Sequence, residues 1–356
     1  MGLGGNLVTS SMSGKIQTVL GPINPEELGI TMSHEHLLID FRVVFEDPKS
    51  QHRLTLASEP VSIGILGWLS YNWRSNLDNL LLDSEDTAIQ EVSRFASFGG
   101  RSIVDATNIG IGRNPLGLTR ISEATGLNIV MGSSHYVSSS HPTDMRWKSE
   151  EDLANEIVGD ITIGVGTTGV KSGIIGEIGC SWPWDPNEKK TVRAGGKAHR
   201  ETGAALLIHP GRHEDSPFEI VRELEGIGVD LGRTVISHVE RTIFSREKLL
   251  TLAKTGVILE WDLFGHESSY YPFSDNSMPN DSQRIDQIMY LIEEGFGDQI
   301  VISHDICTKH RLVRYGGHGF SHILENVIPR MKLMGISEDQ IEKMLISTPR
   351  KVLTFV

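Results

Sequence analysis

The sequence has few basic residues for its size. Its 356 residues include 33 lysines and arginines against 46 aspartates and glutamates, which gives a formal net charge of −13. Nucleic acids and anionic membranes are bound by dense basic surfaces that replace counterions. The charge therefore argues against both kinds of partner and favours a small molecule.

Cysteine and long hydrophobic runs are also scarce. The only two cysteines, Cys180 and Cys307, lie far apart, which is typical of a reducing compartment. The N-terminus lacks the basic segment and apolar core of a secretory signal. The longest apolar stretch, which begins at Val61, is too short and too polar to span a bilayer. We therefore predict a cytoplasmic protein.

Short apolar runs alternate with helical patterns along the whole chain. Eight runs rich in Ile, Val and Leu are each followed by a polar turn and a helical pattern, which is typical of strands buried on both faces of a parallel sheet. Eight such units favour a closed (β/α)8 TIM barrel. No Gly-x-Gly-x-x-Gly motif follows the first strand, which argues against a dinucleotide-binding fold. The runs are LGITMS, RSIVDAT, LNIVMGS, SGIIGEIG, AALLIHPG, RTVISHVE, TGVILEWD and DQIVISHD.

The eight units predict one domain, residues 14–356, preceded by a flexible tail over residues 1–13. The stretch 41–82, which follows the first strand, is too long for a simple loop. We expect it to pack over the mouth of the barrel as a lid. The alternative is a structural pad on the outer wall.

Metal-ligand residue types recur at the carboxyl ends of the predicted strands, where the active site of such a barrel lies. His34 and His36 end the first strand, and their two-residue spacing points both side chains into the barrel. Imidazole and carboxylate groups hold zinc and similar ions in hydrolytic sites, and six of them are too many for one catalytic metal. They suit two metals that share a bridging carboxylate and a bridging hydroxide. The six residues are His34, His36, Glu177, His209, His238 and Asp305.

The motifs around these residues resemble those of a known family. TMSHEHL, GIIGEIG, LLIHPG, VISHVE and ISHD occur in this order, and residues 14–356 are similar to the phosphotriesterase family of the amidohydrolase superfamily. The resemblance implies two metal ions bridged by a side chain of the fourth strand. By this resemblance the other ligands divide into His34, His36 and Asp305 for one metal and His209 and His238 for the second.

The bridging residue departs from the founding members of that family, which use a carbamylated lysine. The fourth run reads KSGIIGEIG, and Lys171 lies six residues before Glu177, too early to reach the mouth of the strand. The register resembles members that use a glutamate, so we predict Glu177 as the bridge. The departure also weakens the case for phosphotriester hydrolysis as the natural reaction.

The predicted activity is that of a metal-dependent hydrolase with Asp305 and Glu177 as catalytic residues. The bridging hydroxide would attack a carbonyl or phosphoryl centre, and Asp305 would pass its proton to the leaving group. Zinc is the expected metal by default, although manganese, cobalt or iron would also suit the ligands. A non-catalytic binding protein would need a broken ligand set, whereas all six positions are filled.

The loops after the strands supply candidates for substrate recognition. Cationic groups at the mouth of an acidic protein suggest an anionic substrate tail, and aromatic side chains could line an apolar wall. For each cationic residue the alternative is a solvated loop charge or an ion pair with an acidic neighbour. The candidates are Arg212, His213, Tyr136, Trp261, Lys309, His310 and Arg311.

The resemblance also implies a substrate. Animal members of the family are associated with hydrolysis of N-acetyltaurine to taurine and acetate, and of some N-acetyl amino acids. That substrate is a small amide with an anionic tail, which agrees with the chemistry predicted from the residues. A lactonase or a phosphotriesterase would use the same metals on a different substrate and remains the alternative. A homodimer is the expected assembly.

Overall fold

The computed structural model describes residues 12–268 and 270–356. Most of the tail predicted over residues 1–13 therefore lies outside the described residues. The first described element is an antiparallel pair of short strands, Ile16–Thr18 and Gly21–Ile23, which precedes the main sheet.

Eight parallel strands form the centre of the fold, one from each apolar run of the sequence. Every residue of these strands except Asn128 is buried, which explains why the runs are almost continuously apolar. The strands are β1 (Thr31–Glu35), β2 (Ser102–Asp105), β3 (Asn128–Ser133), β4 (Ile174–Gly179), β5 (Leu206–His209), β6 (Thr234–Ile236), β7 (Ile258–Trp261) and β8 (Ile300–Ile302).

The strands lie in chain order, and the first and last meet. Each strand pairs in parallel with the next one in sequence, from β1 to β8. The backbone N–H of Asp305, just after β8, donates to the carbonyl of His34 in β1 at 3.1 Å. The sheet is thus nearly closed, and the predicted (β/α)8 TIM barrel is confirmed.

Helices surround the sheet, and local sequence sets their ends. Ser84 caps the helix that begins at Glu85, and Gly203 ends the helix after β4 in a left-handed conformation with φ of 74°. None of the helices in the described residues has the length and hydropathy needed to cross a bilayer. The α-helices are α1 (Leu66–Asn72), α2 (Glu85–Ser97), α3 (Pro115–Thr125), α4 (Glu150–Thr162), α5 (Pro186–Thr202), α6 (Ser216–Gly226), α7 (Val239–Thr242), α8 (Arg246–Ala253), α9 (Asp281–Glu293), α10 (Ile328–Leu333), α11 (Glu338–Glu342) and α12 (Thr348–Leu353).

The strands bury alternate side chains on opposite faces. Leu207 and Val235 belong to a cluster that fills the barrel interior, whereas Ile208 and Ile236 belong to the larger cluster shared with the helices. Each fully buried aliphatic side chain of this kind contributes about 1.5–3 kcal/mol relative to an exposed one. Because both faces are filled, the polar residues at the carboxyl ends of the strands are held on a rigid frame.

Residues 41–82 lie at the carboxyl end of the barrel and contact the loop after β8. The backbone N–H of Lys309 donates to the carbonyl of Asn79 at 3.0 Å. Phe41 and Trp73 stack on each other with ring centroids 6.2 Å apart, and both side chains line the cavity described below. The segment therefore supplies part of the cavity wall, while its opening and closing as a lid stays a prediction.

Candidate metal centre and active-site cavity

The six predicted ligands converge at the carboxyl end of the barrel. Their ligand atoms fall into two groups, within each of which all atoms lie within 4.8 Å of one another. The two groups agree with the division that the family resemblance implies, and Glu177 contacts both. The groups are His34, His36 and Asp305, and Glu177, His209 and His238.

Glu177 occupies the middle of the ligand set. One carboxylate oxygen lies 3.0 Å from His209 Nδ1 and 3.6 Å from His34 Nε2. The other oxygen lies 3.6 Å from His36 Nε2. A carboxylate that lies between both groups has the placement required of a bridge between two cations.

A local irregularity of β4 places Glu177 there. The register of β4 against both neighbours shifts around Gly176 and Glu177, as in a β-bulge, which re-aims a side chain at the rim of a sheet. Gly176 has a φ of 142°, and a Cβ at this position would lie 2.2 Å from the carbonyl oxygen of Leu207. Only glycine fits, so the Gly-Glu pair of the sequence reflects a backbone requirement of the site.

Two other candidate ligands have unusual backbone conformations. His238 has a φ of 53° and Asp305 a φ of 51°, which places both in the left-handed region. Such conformations cost about 1–3 kcal/mol in non-glycine residues and occur mainly at functional sites. His238 is the second residue after β6 and Asp305 the third residue after β8, where the chain turns their side chains toward Glu177 and His36.

The donor set fits a pair of divalent cations. His34 Nε2 is buried without a hydrogen-bond partner in the described residues, although a buried polar atom normally has one. Burial opposes charge on His34, yet the nearby carboxylate of Glu177 raises the pKa of this imidazole well above its ordinary value. Burial alone would raise the pKa of Glu177, but the charge of His34 and the neighbouring His209 hold it well below its usual range. The residues thus form a buried anionic centre that favours a cation.

Side chains behind the ligands orient them. Asp262 Oδ1 lies 2.7 Å from His238 Nδ1, and its Oδ2 lies 3.1 Å from His34 Nδ1. Thr107 Oγ1 lies 2.8 Å from His36 Nδ1. These contacts fix the three imidazole rings and leave Nε2 of each of them directed at the centre, as is usual for metal-binding histidines. The sequence had marked Asp262 as the end of the seventh apolar run, but its role as a common partner of two ligands depends on the spatial proximity of β1, β6 and β7.

The role of Asp262 gives a first prediction. In Asp262→Asn the amide can no longer accept hydrogen bonds from both imidazoles through charged oxygens, so metal affinity should fall by about 10–100-fold. Metal titration monitored by calorimetry would measure this change. The matched control is Asp215→Asn, which alters an exposed His–Asp pair outside the cavity, in which Asp215 lies 3.8 Å from His213. Equal affinity in the Asp262 variant and the wild type would contradict the orienting role.

A cavity opens from the ligands to the barrel mouth and encloses about 650 Å³ when its open mouth is included. Its wall combines aromatic side chains with a few cationic ones, as in sites that bind small molecules. Besides His36, Glu177, His209, His238 and Asp305, it is lined by Phe41, Trp73, Tyr136, Arg212, Arg241, Leu263, His266, Tyr271, Phe273, Met278, Cys307, Thr308, His310 and Arg311.

Four of the predicted substrate-contacting residues line this cavity. The Tyr136 hydroxyl lies 3.4 Å from His209 Nδ1, and Arg212 Nε donates to the hydroxyl of Tyr271 at 2.9 Å. Burial and the charge of Arg311 lower the pKa of His310 to about 3, and its Nδ1 lies 3.0 Å from Asn79 Oδ1. Arg311 donates to the backbone carbonyls of His304 and Asp305, so it holds the loop that carries Asp305.

The other three predicted substrate contacts lie outside this cavity. His213 is exposed and stacks on Trp182 with ring centroids 4.3 Å apart. Lys309 Nζ lies 2.6 Å from Asp78, so its charge is paired within the protein. Trp261 is fully buried among the helices and donates to Gln287, because it alternates with the inward-facing Glu260 and Asp262. None of the three lines the cavity.

The prediction from sequence missed several residues of the cavity wall. Arg241 follows His238 by three residues, and its closeness to a predicted metal ligand could have identified it as a site residue. Phe41, Trp73, Tyr271 and Phe273 come from two long loops whose packing carries no periodic pattern. Their positions depend on tertiary contacts that the sequence alone does not specify.

The chain is similar to characterised proteins over almost its whole length. It matches the Phosphotriesterase family over residues 14–353. An N-acetyltaurine hydrolase from Xenopus tropicalis is 46% identical over 348 residues, which cover 97% of this chain and 99% of that protein. The crystal structure of a resiniferatoxin-binding protein from Rhodobacter sphaeroides has a TM-score of 0.92 at 38% identity, over 96% of this chain and 95% of that one. A lactonase from Listeria monocytogenes has a TM-score of 0.79 at 27% identity, over 96% and 99% of the two chains.

Proposed function

The chain belongs to the phosphotriesterase family of metal-dependent hydrolases, and from this premise we propose that it hydrolyses N-acetyltaurine to taurine and acetate. The observation that carries the proposal is the convergence of four histidines, Asp305 and the central Glu177 at the base of a cavity with cationic side chains. Proteins named N-acetyltaurine hydrolase are similar over nearly the full chain, at 42–46% identity. N-acetyl amino acids share the small acyl group, the amide and the anionic tail, so they are proposed as secondary substrates.

The proposed ligands define a binuclear centre. His34, His36 and Asp305 would hold one cation, His209 and His238 the other, and Glu177 would contact both. Two divalent cations would supply a deprotonated water near neutral pH and polarise the substrate carbonyl. Zinc is the proposed metal. A cytoplasmic location and a homodimer stay predictions.

The protein side chains have separate tasks in this proposal. The carboxylate of Asp305 is partly accessible and lies 3.2 Å from His36 Nε2, between the ligand cluster and the cavity. It can accept a proton and deliver it to the amide nitrogen, which leaves only after protonation. Burial and the charge of Glu177 raise the pKa of Tyr136 well above its ordinary value, so its hydroxyl keeps its proton. Tyr136 can therefore donate a hydrogen bond to a substrate oxygen.

The number of metal ions gives a second prediction. Purified protein loaded with zinc and freed of excess metal should retain two ions per chain by elemental analysis, because the ligands form two groups around one carboxylate. Anomalous diffraction should place both ions against Glu177. A single ion at saturation, with Glu177 turned away from it, would rule out the binuclear proposal.

An activity panel distinguishes the proposed function from its family alternatives. The lactonase from Listeria monocytogenes shares the fold over nearly the full chain, so lactone hydrolysis is the second candidate. The panel contains N-acetyltaurine, N-acetyl amino acids, a γ-lactone and an activated phosphotriester, each tested at matched metal content. We expect the largest kcat/KM for N-acetyltaurine. A larger value for the lactone or the phosphotriester would overturn the proposed substrate while leaving the hydrolase assignment intact.

A further inference from the structure

Arg241 is a buried cation at the cavity wall. The residue is 4% exposed, and it lies on the short helix α7, which begins directly after His238. Nη2 lies 3.1 Å from His209 Nε2 and donates to the carbonyl of Pro210 at 3.2 Å, while Nη1 donates to Thr242 Oγ1 at 3.1 Å. None of these partners is a carboxylate.

No carboxylate among the described residues lies within 4 Å of the Arg241 guanidinium. A buried charge without a counter-charge is costly, and proteins normally pair it. Arg284, equally buried in the same protein, shows the usual solution, since it lies 2.7 Å from Asp281 and 3.3 Å from Glu240. Arg241 differs from Arg284 because it faces a cavity, where a ligand can supply the missing negative charge.

Arg212 extends this cationic region toward solvent. It lines the same cavity and also has no carboxylate partner within 4 Å among the described residues. Unlike Arg241 it is exposed, with Nε bonded to Tyr271 and the guanidinium 4.7 Å from the centroid of Phe273. Arg241 is therefore the inner cation, and Arg212 lies nearer the mouth.

We propose that Arg241 binds the anionic group of the substrate and so limits the preferred substrates to short N-acyl amines that end in a sulfonate or carboxylate. The inference rests on the proposed hydrolase function and deepens it. Only the imidazole of His209 separates the Arg241 guanidinium from Glu177, since Nδ1 of that ring lies 3.0 Å from the carboxylate. Because Arg241 and Glu177 are so close, a substrate with two carbons between its amide and its anionic group fits between them better than a substrate with a long chain.

The chemistry of the guanidinium explains the selectivity that we expect. Its planar donors can bond two oxygens of a sulfonate or carboxylate at once, and the charge is permanent. A site built around such a donor discriminates against a substrate that lacks the anion, because the buried charge is then left unpaired. An uncharged lactone or amide should therefore be hydrolysed less efficiently than N-acetyltaurine, whatever its acyl group.

The test compares the losses on a charged and an uncharged amide. Arg241→Gln should lower kcat/KM for N-acetyltaurine by about 10–100-fold, the usual range for a hydrogen bond to a charged group. The loss on N-ethylacetamide, which lacks the sulfonate, should be at least tenfold smaller. Arg241→Lys keeps the charge and should recover part of the loss. The control is Arg222→Gln, which changes an exposed arginine of α6 whose one hydrogen bond among the described residues goes to the carbonyl of Phe218.

A second measurement needs no variant. Ethanesulfonate should inhibit hydrolysis of N-ethylacetamide by the wild-type enzyme at concentrations at least tenfold lower than ethyl methyl sulfone, its uncharged analogue. Equal inhibition by the two compounds, or equal losses of Arg241→Gln on both amides, would overturn the proposal. Failure of the proposed function is a different result, namely wild-type enzyme that hydrolyses N-ethylacetamide or a lactone but not N-acetyltaurine.

Discussion

Glu177→Gln should lower N-acetyltaurine hydrolysis by about 10²-fold or more, because loss of a metal that acts as Lewis acid removes several kcal/mol of transition-state stabilisation. Glutamine has nearly the same shape as glutamate, so packing around β4 should be preserved. What changes is the charge, since a neutral amide replaces the carboxylate that lies between the two ligand groups. Metal content by elemental analysis, measured beside kcat/KM, should fall together with activity.

Lys171→Ala is the matched control for this variant. Lys171 lies three residues before β4 begins at Ile174, at the amino-terminal end of the strand, and it does not line the cavity. It should bind metal and hydrolyse substrate like the wild type. If metal loading instead required added bicarbonate and disappeared in Lys171→Ala, the bridge would be a carbamylated lysine and the assignment of Glu177 would be wrong.

The number and order of the strands could be predicted from sequence because each strand is recognisable from its own residues. Burial on both faces makes each run almost entirely apolar, as in LLIH of β5, so the eight strands can be counted without knowledge of their neighbours. His34, His36, His209 and His238 were found as site candidates for the same reason. A polar side chain at the end of such a run has no structural use in the core, and the barrel places all of these ends together.

The residues that orient the metal ligands, and those proposed to select the substrate, could not be found from the apolar runs of the sequence. Asp262 interacts with His34 and His238, which lie 228 and 24 positions away in sequence, and no local pattern encodes that proximity. Lys309 looked like a substrate contact because it follows Asp305 closely, but Asp78 neutralises it from a distant segment. The charge of a loop residue is visible in the sequence, whereas its counter-charge is a property of the fold. Lys309 has such a counter-charge in Asp78, whereas Arg241 has no carboxylate within 4 Å among the described residues.

Asp305→Asn should separate the two tasks proposed for this residue. Asparagine keeps an oxygen that can contact a metal, and it tolerates the left-handed conformation that Asp305 adopts at a φ of 51°. It cannot accept and deliver a proton. Loss of general acid–base assistance typically costs about 10²–10⁴-fold, so hydrolysis of N-acetyltaurine should fall by that order.

An activated ester provides the internal control for Asp305→Asn, because its leaving group departs without protonation. The loss of kcat/KM on this ester should therefore be much smaller than the loss on the amide. The informative quantity is the ratio of the two losses in kcat/KM, measured on proteins with matched metal content. Equal losses on amide and ester would mean that Asp305 acts mainly as a ligand, and another group would have to carry the proton.

Two histidines near Asp305 are the other candidates for carrying the proton. Of these, His238 is engaged through Nδ1 by Asp262 at 2.7 Å. The pKa of about 3 leaves His310 without a proton to donate at neutral pH, so it could serve there only as a base. These two constraints are the physical reason for assigning the proton transfer to Asp305, whose carboxylate reaches both the ligand cluster and the cavity.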